Sequence, residues 1–115
     1  MRNVFIVLMP ALLLGGAAAH AHAFLDHANP RVGSTVRTAP REVTLWFSQK
    51  LEPSFSSAQV HDAAGARVDQ GARVSGMQIH LSVRSLPPGA YKVRWRVLSV
   101  DTHTTEGSFS FRVGQ

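Results

Sequence analysis

Apolar and polar residues alternate with a period of two over much of this chain, the pattern of strands with one buried and one solvated face. Tyr91, Val93, Trp95 and Val97 fall on one side, with Lys92, Arg94 and Arg96 on the other. Val43, Leu45 and Phe47 share a face within residues 42–47, and Ala58 and Val60 do so within 57–62. Ser75-Gly76 opens a strand in which Met77, Ile79, Leu81 and Val83 alternate with Gln78, His80, Ser82 and Arg84. Residues 108–113 repeat the pattern with Phe109, Phe111 and Val113, and Ala23-Phe24-Leu25 reads as a short first strand. Asn29-Pro30, Gly33-Ser34, Ala63-Ala64-Gly65-Ala66 and Pro87-Pro88-Gly89 supply turns, because proline fixes φ and glycine tolerates positive φ. Residues 49–56, with Pro53, read as a connection. Beyond residue 21 no stretch holds a 3.6-residue apolar period for three turns. The expectation is an all-β, antiparallel sandwich or barrel.

The first residues obey a different pattern. A basic Met1-Arg2-Asn3 precedes 11 apolar residues, 4–14, and then the small residues Gly15-Gly16-Ala17-Ala18-Ala19. This is the layout of a cleaved secretory signal. The run is short of the roughly 20 residues that span a bilayer, and Pro10 interrupts it. Cleavage after Ala17-Ala18-Ala19 frees His20; cleavage after Ala19-His20-Ala21 frees His22. Either product begins with histidine. Taking residues 1–21 as the signal leaves a single domain of 94 residues, 22–115. With no C-terminal hydrophobic span, the expectation is a monomer free in its compartment, without stable membrane insertion once the signal is cleaved.

Composition narrows the chemistry. There are no cysteines, so neither disulfides nor thiolate ligands are available. The chain has 12 Lys+Arg against 7 Asp+Glu, and Arg2 leaves with the signal, so the mature net charge is +4. A basic surface suits nucleic acid or an anionic membrane face, but export argues against nucleic acid. Lys92, Arg94 and Arg96 read as a solvated sheet face. No Gly-x-Ser-x-Gly elbow and no phosphate-cradling glycine loop is present.

Asp101 and His103 stand two residues apart between the last two strand patterns. In extended backbone such residues project to one face, roughly 7 Å apart at Cα. A carboxylate and an imidazole alone hold a metal poorly. A mature N-terminal His22 adds an α-amine (ordinary pKa about 7.7–8.0) and a ring nitrogen (about 6.5) that can close a chelate ring. Three nitrogens and one oxygen suit tetragonal Cu(II); zinc accepts the same atoms in a tetrahedron and stays open at this point. Thr102, Thr104 and Thr105 offer hydroxyls that can hydrogen-bond around such a site. His27 is an outlying candidate, while His61 and His80 fall at solvent-facing positions. Met1 and Met9 leave with the signal and Met77 is in phase with the core, so a thioether-rich Cu(I) site has no material.

His22-Ala23-Phe24-Leu25 with Asn29-Pro30 and Gly33 resembles the mature start of the CopC-type periplasmic copper-binding proteins, the CopC/YobA family. Leu86-Pro87-Pro88-Gly89-Ala90-Tyr91, Val93, Trp95-Arg96, Ser99, Asp101-Thr102-His103, Gly107 and Phe109 resemble that family's C-terminal signature. The resemblance covers the mature domain. It implies an immunoglobulin-like Greek-key β-sandwich binding Cu(II) through His22, Asp101 and His103, in a non-enzymatic protein for copper sequestration or delivery. An inner-membrane copper transporter of the CopD type is the implied partner. Some members carry Glu after the Phe-Ser of the second strand; here Phe47-Ser48 is followed by the neutral Gln49. The family's Met-rich segment is absent, which implies a single Cu(II) site. Two other function classes compete. The N-terminal His with a second His resembles the histidine brace of copper oxidoreductases, but Asp101 would fill the position such an enzyme keeps open to oxygen. A β-sandwich interaction module with incidental histidines is the other.

Overall fold

The alternating segments fold into eight strands, seen in a computed structural model that describes residues 23–114. These are β1 (Leu25–Asn29), β2 (Thr35–Val36), β3 (Glu42–Phe47), β4 (Ser57–Asp62), β5 (Asp69–Ser75), β6 (Gln78–Val83), β7 (Gly89–Leu98) and β8 (Thr104–Val113). One sheet runs β1-β3-β6-β5 and the other β2-β8-β7-β4. Only β5–β6 and β7–β8 are sequence neighbours paired within a sheet. At every other connection the chain changes sheet, as the Greek-key sandwich requires. The pairings are antiparallel apart from the short β2, which runs parallel to β8.

The inward faces are those the alternation marks. Val43, Leu45, Phe47, Ile79, Leu81 and Val83 from one sheet meet Ala58, Val60, Tyr91, Val93, Val97, Phe109, Phe111 and Val113 from the other, all buried. Trp95 packs edge-on to Phe47, ring centroids 5.2 Å apart. Its ring lies flat over Gly107, its cross-strand partner, where a Cβ would come within 2.5 Å of the indole. A glycine is therefore the residue that lets the indole lie against β8.

Several local expectations give way. The first strand lies at 25–29 rather than 23–25, because Phe24 is held by Ser48 instead: Ser48 N donates to Phe24 O (2.9 Å), and Phe24 N donates to Ser48 Oγ (2.9 Å). Met77 is 50 % exposed rather than core. Gly76 (φ 62°) and Met77 form the two-residue turn between β5 and β6, so the alternation that includes Met77 begins one residue late. His61 and His80 are half-buried rather than solvent-facing. His61 is bridge-paired with Arg67. His80 Nδ1 lies 3.4 Å from both Thr44 Oγ1 and Glu42 Oε1 across the strand pair. The edge strand β5 is unannounced by apolar alternation, since Asp69 is its one fully buried residue and a bulge follows it.

Candidate metal centre

The link between β7 and β8 is not extended, as the spacing of Asp101 and His103 suggests, but a tight turn. Ser99 N donates to His103 O (3.0 Å), and Thr102 N donates to Ser99 O (2.8 Å). Thr102 takes φ +72°, the left-handed region that costs a β-branched residue roughly 1–3 kcal/mol. The turn brings Asp101 Oδ1 to 3.4 Å from His103 Nδ1. Two donors at that separation can share one cation with bonds of about 2.0–2.2 Å. The β3–β4 connection braces the turn from below: Leu51 bridges Ser99, Glu52 N donates to Leu98 O (2.8 Å), and Val100 N to Lys50 O (3.0 Å).

Ser99 is fully buried beneath the pair. Its hydroxyl donates to Asp101 Oδ1 and accepts from the His103 amide, which lies 3.4 Å from Ser99 Oγ. That hydroxyl is the largest influence holding the Asp101 carboxyl below its ordinary range; partial burial opposes it, and His103 adds to it. The carboxylate is thus ionised and aimed at solvent beside the imidazole. The orienting role of Ser99 is not evident from its residue type, and only the turn reveals it.

The other end of the chain arrives at the same place. Thr105 Oγ1, two residues past His103, donates to the carbonyl of Ala23 at 2.7 Å. Ala23 is fully buried, and Phe24 is bonded to Ser48, so the N-terminal segment is held by both sheets. Thr105 therefore contacts the entering chain, while the Thr102 hydroxyl turns back to the Asp101 carbonyl. His22 and the signal at 1–21 lie outside the described residues. His27 is elsewhere, stacked on Trp46 (centroids 4.4 Å, 9° between planes) and bonded to Asp26 at 2.7 Å. Gln49 is half-buried. Among the described residues no three of His, Asp and Glu gather into a metal-holding group. Asp101 and His103 thus need a further donor to hold an ion firmly. Among the same residues, no helix is long and apolar enough to cross a membrane.

Known proteins resemble this chain over most of its length. The model of the CopC domain matches residues 25–114. Protein YobA of Escherichia coli K12 is 35% identical over 118 residues, spanning 98% of this chain and 94% of that protein. Copper resistance protein C of Pseudomonas syringae pv. tomato is 34% identical over 122 residues, spanning 97% of this chain and 96% of its own length. The crystal structure of CopC from Methylosinus trichosporium OB3b superposes with a TM-score of 0.76 at 35% identity, covering 81% of this chain and 94% of that one.

Proposed function

Because this chain belongs to the CopC family, a family of copper resistance and copper transport proteins, we propose that it is a periplasmic Cu(II) carrier. In this reading signal cleavage before His22 creates the site. The α-amine and ring of His22 and the ring of His103 supply nitrogen, and the Asp101 carboxylate supplies oxygen. The donors are hard to borderline, and divalent copper heads the affinity order for such a set. The metal is cargo, sequestered or delivered, and no catalytic step is involved. An inner-membrane transporter of the CopD type is the exchange partner, and the carrier works as a monomer.

The observation that carries the reading is the shared location of two sequence-distant features. Thr105 holds the carbonyl of Ala23 beside the Asp101–His103 turn. Covalent geometry sets the Cα of the preceding residue about 3.8 Å from that of Ala23. A donor carried by the residue before Ala23 is what this reading adds to the Asp101–His103 pair.

Isothermal titration of the chain beginning at His22 is expected to give one tight Cu(II) per molecule. His103→Ala should weaken it by a hundredfold or more while circular dichroism stays that of the parent. Unaltered Cu(II) affinity in that variant would contradict the assignment.

A further inference from the structure

The exposed face of the β2-β8-β7-β4 sheet has an unbalanced charge. Lys92, Arg94 and Arg96 project from the central strand β7, two residues apart, and all are exposed. Arg112 on β8 stands across from Ala90 and extends the row. Most flanking positions are polar and carry no fixed charge: Ser57, Gln59 and His61 on β4, opposite Arg96, Arg94 and Lys92, and Ser108 and Ser110 on β8, opposite Arg94 and Lys92. Glu106, across from Arg96, is the acid on this face, and Asp62 at the end of β4 is turned to the amides of Ala64 and Ala66. Among the described residues no ion pair involves any of the four cations. The opposite sheet differs: Glu42 lies 3.9 Å from Arg73 and 3.4 Å from His80, and Asp26 is bonded to His27. Four cations against Glu106 give this one face +3 of the +4 carried by residues 22–115.

We propose that this face is a peripheral docking surface for an anionic lipid bilayer. A row of like charges on flexible stems, spaced along a strand and lacking internal partners, gains most from a broad surface of opposite charge. The other classes of polyanion fit the face less well. No aromatic ring stands out from it to stack on bases, since Tyr91 is buried and Trp95 lies inward over Gly107. Nor does it carry an apolar anchor of the kind that dominates protein interfaces. The stripe also points along β7 toward Leu98 and the Asp101–His103 turn. A molecule lying on this face therefore keeps that turn at the level of the headgroups.

The test is cosedimentation of the chain beginning at His22 with unilamellar vesicles, either phosphatidylcholine alone or an equal mixture with phosphatidylglycerol. Binding is expected to the anionic vesicles only and to vanish at about 0.5 M NaCl, where the Debye length is a few ångströms. Replacing Lys92, Arg94 and Arg96 together by Gln should lower partitioning roughly a hundredfold, at roughly fivefold per charge. Arg31, Arg41 and Arg84, replaced together by Gln, remove the same net charge from the ends of β1, β3 and β6 in the opposite sheet and should leave most of the binding. The proposal is overturned if wild type ignores phosphatidylglycerol, if both triple variants lose binding equally, or if only a soluble polyanion such as polyglutamate is bound.

Discussion

At the scale of single residues, Asp101 and His103 become a usable pair through Ser99. Its buried hydroxyl holds the Asp101 carboxyl below the usual carboxylate range. Asp101 therefore stays ionised well below neutrality, which leaves the nitrogens of the proposed site as the groups at which protons compete with copper. Acidification from about pH 7 to 5 should lower Cu(II) affinity steeply, since in the proposed site protons and copper compete for the same nitrogens. Ser99→Ala removes the hydrogen bond, lets the carboxyl rise toward its ordinary value and frees its rotation. Competition titration at pH 7 should show a loss of about tenfold, the lower end of the effect of groups that orient ligands. An unchanged constant would mean that the hydroxyl orients nothing. Asp101 and His103 were legible by type and spacing, but their 3.4 Å approach was not. It depends on a left-handed Thr102, a conformation that sequence signals at glycine or asparagine and not at threonine.

At the scale of elements, the proposed site depends on where the entering chain is fastened. Ala23 is tied to the start of β8 by Thr105, and Phe24 to the end of β3 by Ser48. Thr105→Val keeps the shape of the side chain and removes the donor, leaving the buried Ala23 carbonyl unpaired, at a cost of about 1–3 kcal/mol. Thermal melting should register that loss, and Cu(II) affinity should fall about tenfold although no ligand is touched. A lower melting temperature with full affinity would make the tether structural only. The long strands β3, β6, β7 and β8 were readable because one face of each is packed on the core. β5 was not, since Asp69 anchors it where an apolar residue would announce it. Phe24 is 52 % exposed, and its backbone bonds to Ser48 fasten it beside β3.

At the scale of the whole molecule, one acid links the two sheets. Asp69, at the start of β5, accepts from the amide of Val60 on β4 at 2.8 Å and of Gly71 at 3.0 Å, and from the Arg67 guanidinium. Burial opposes its ionisation, yet Arg67 and the two amides outweigh burial and hold its pKa below the ordinary value. A carboxyl depressed on folding contributes fully above its unfolded value of about 3.9 and loses that contribution as pH falls through the folded value. Urea unfolding of wild type should thus weaken from about pH 5 to 3. Asp69→Asn should cost about 2 kcal/mol at pH 7 and flatten that acid limb; equal limbs would place the acid sensitivity elsewhere. The same sandwich that Asp69 links carries the N-terminal segment to the Asp101–His103 turn, and the copper reading rests on that meeting. Its most direct test is Cu(II) titration of the chain beginning at His22 against the same chain with its α-amine acetylated. Acetylation leaves every side chain in place and is expected to lower the affinity by a hundredfold or more. Equal affinity in the two forms would contradict a site built on the mature N-terminus.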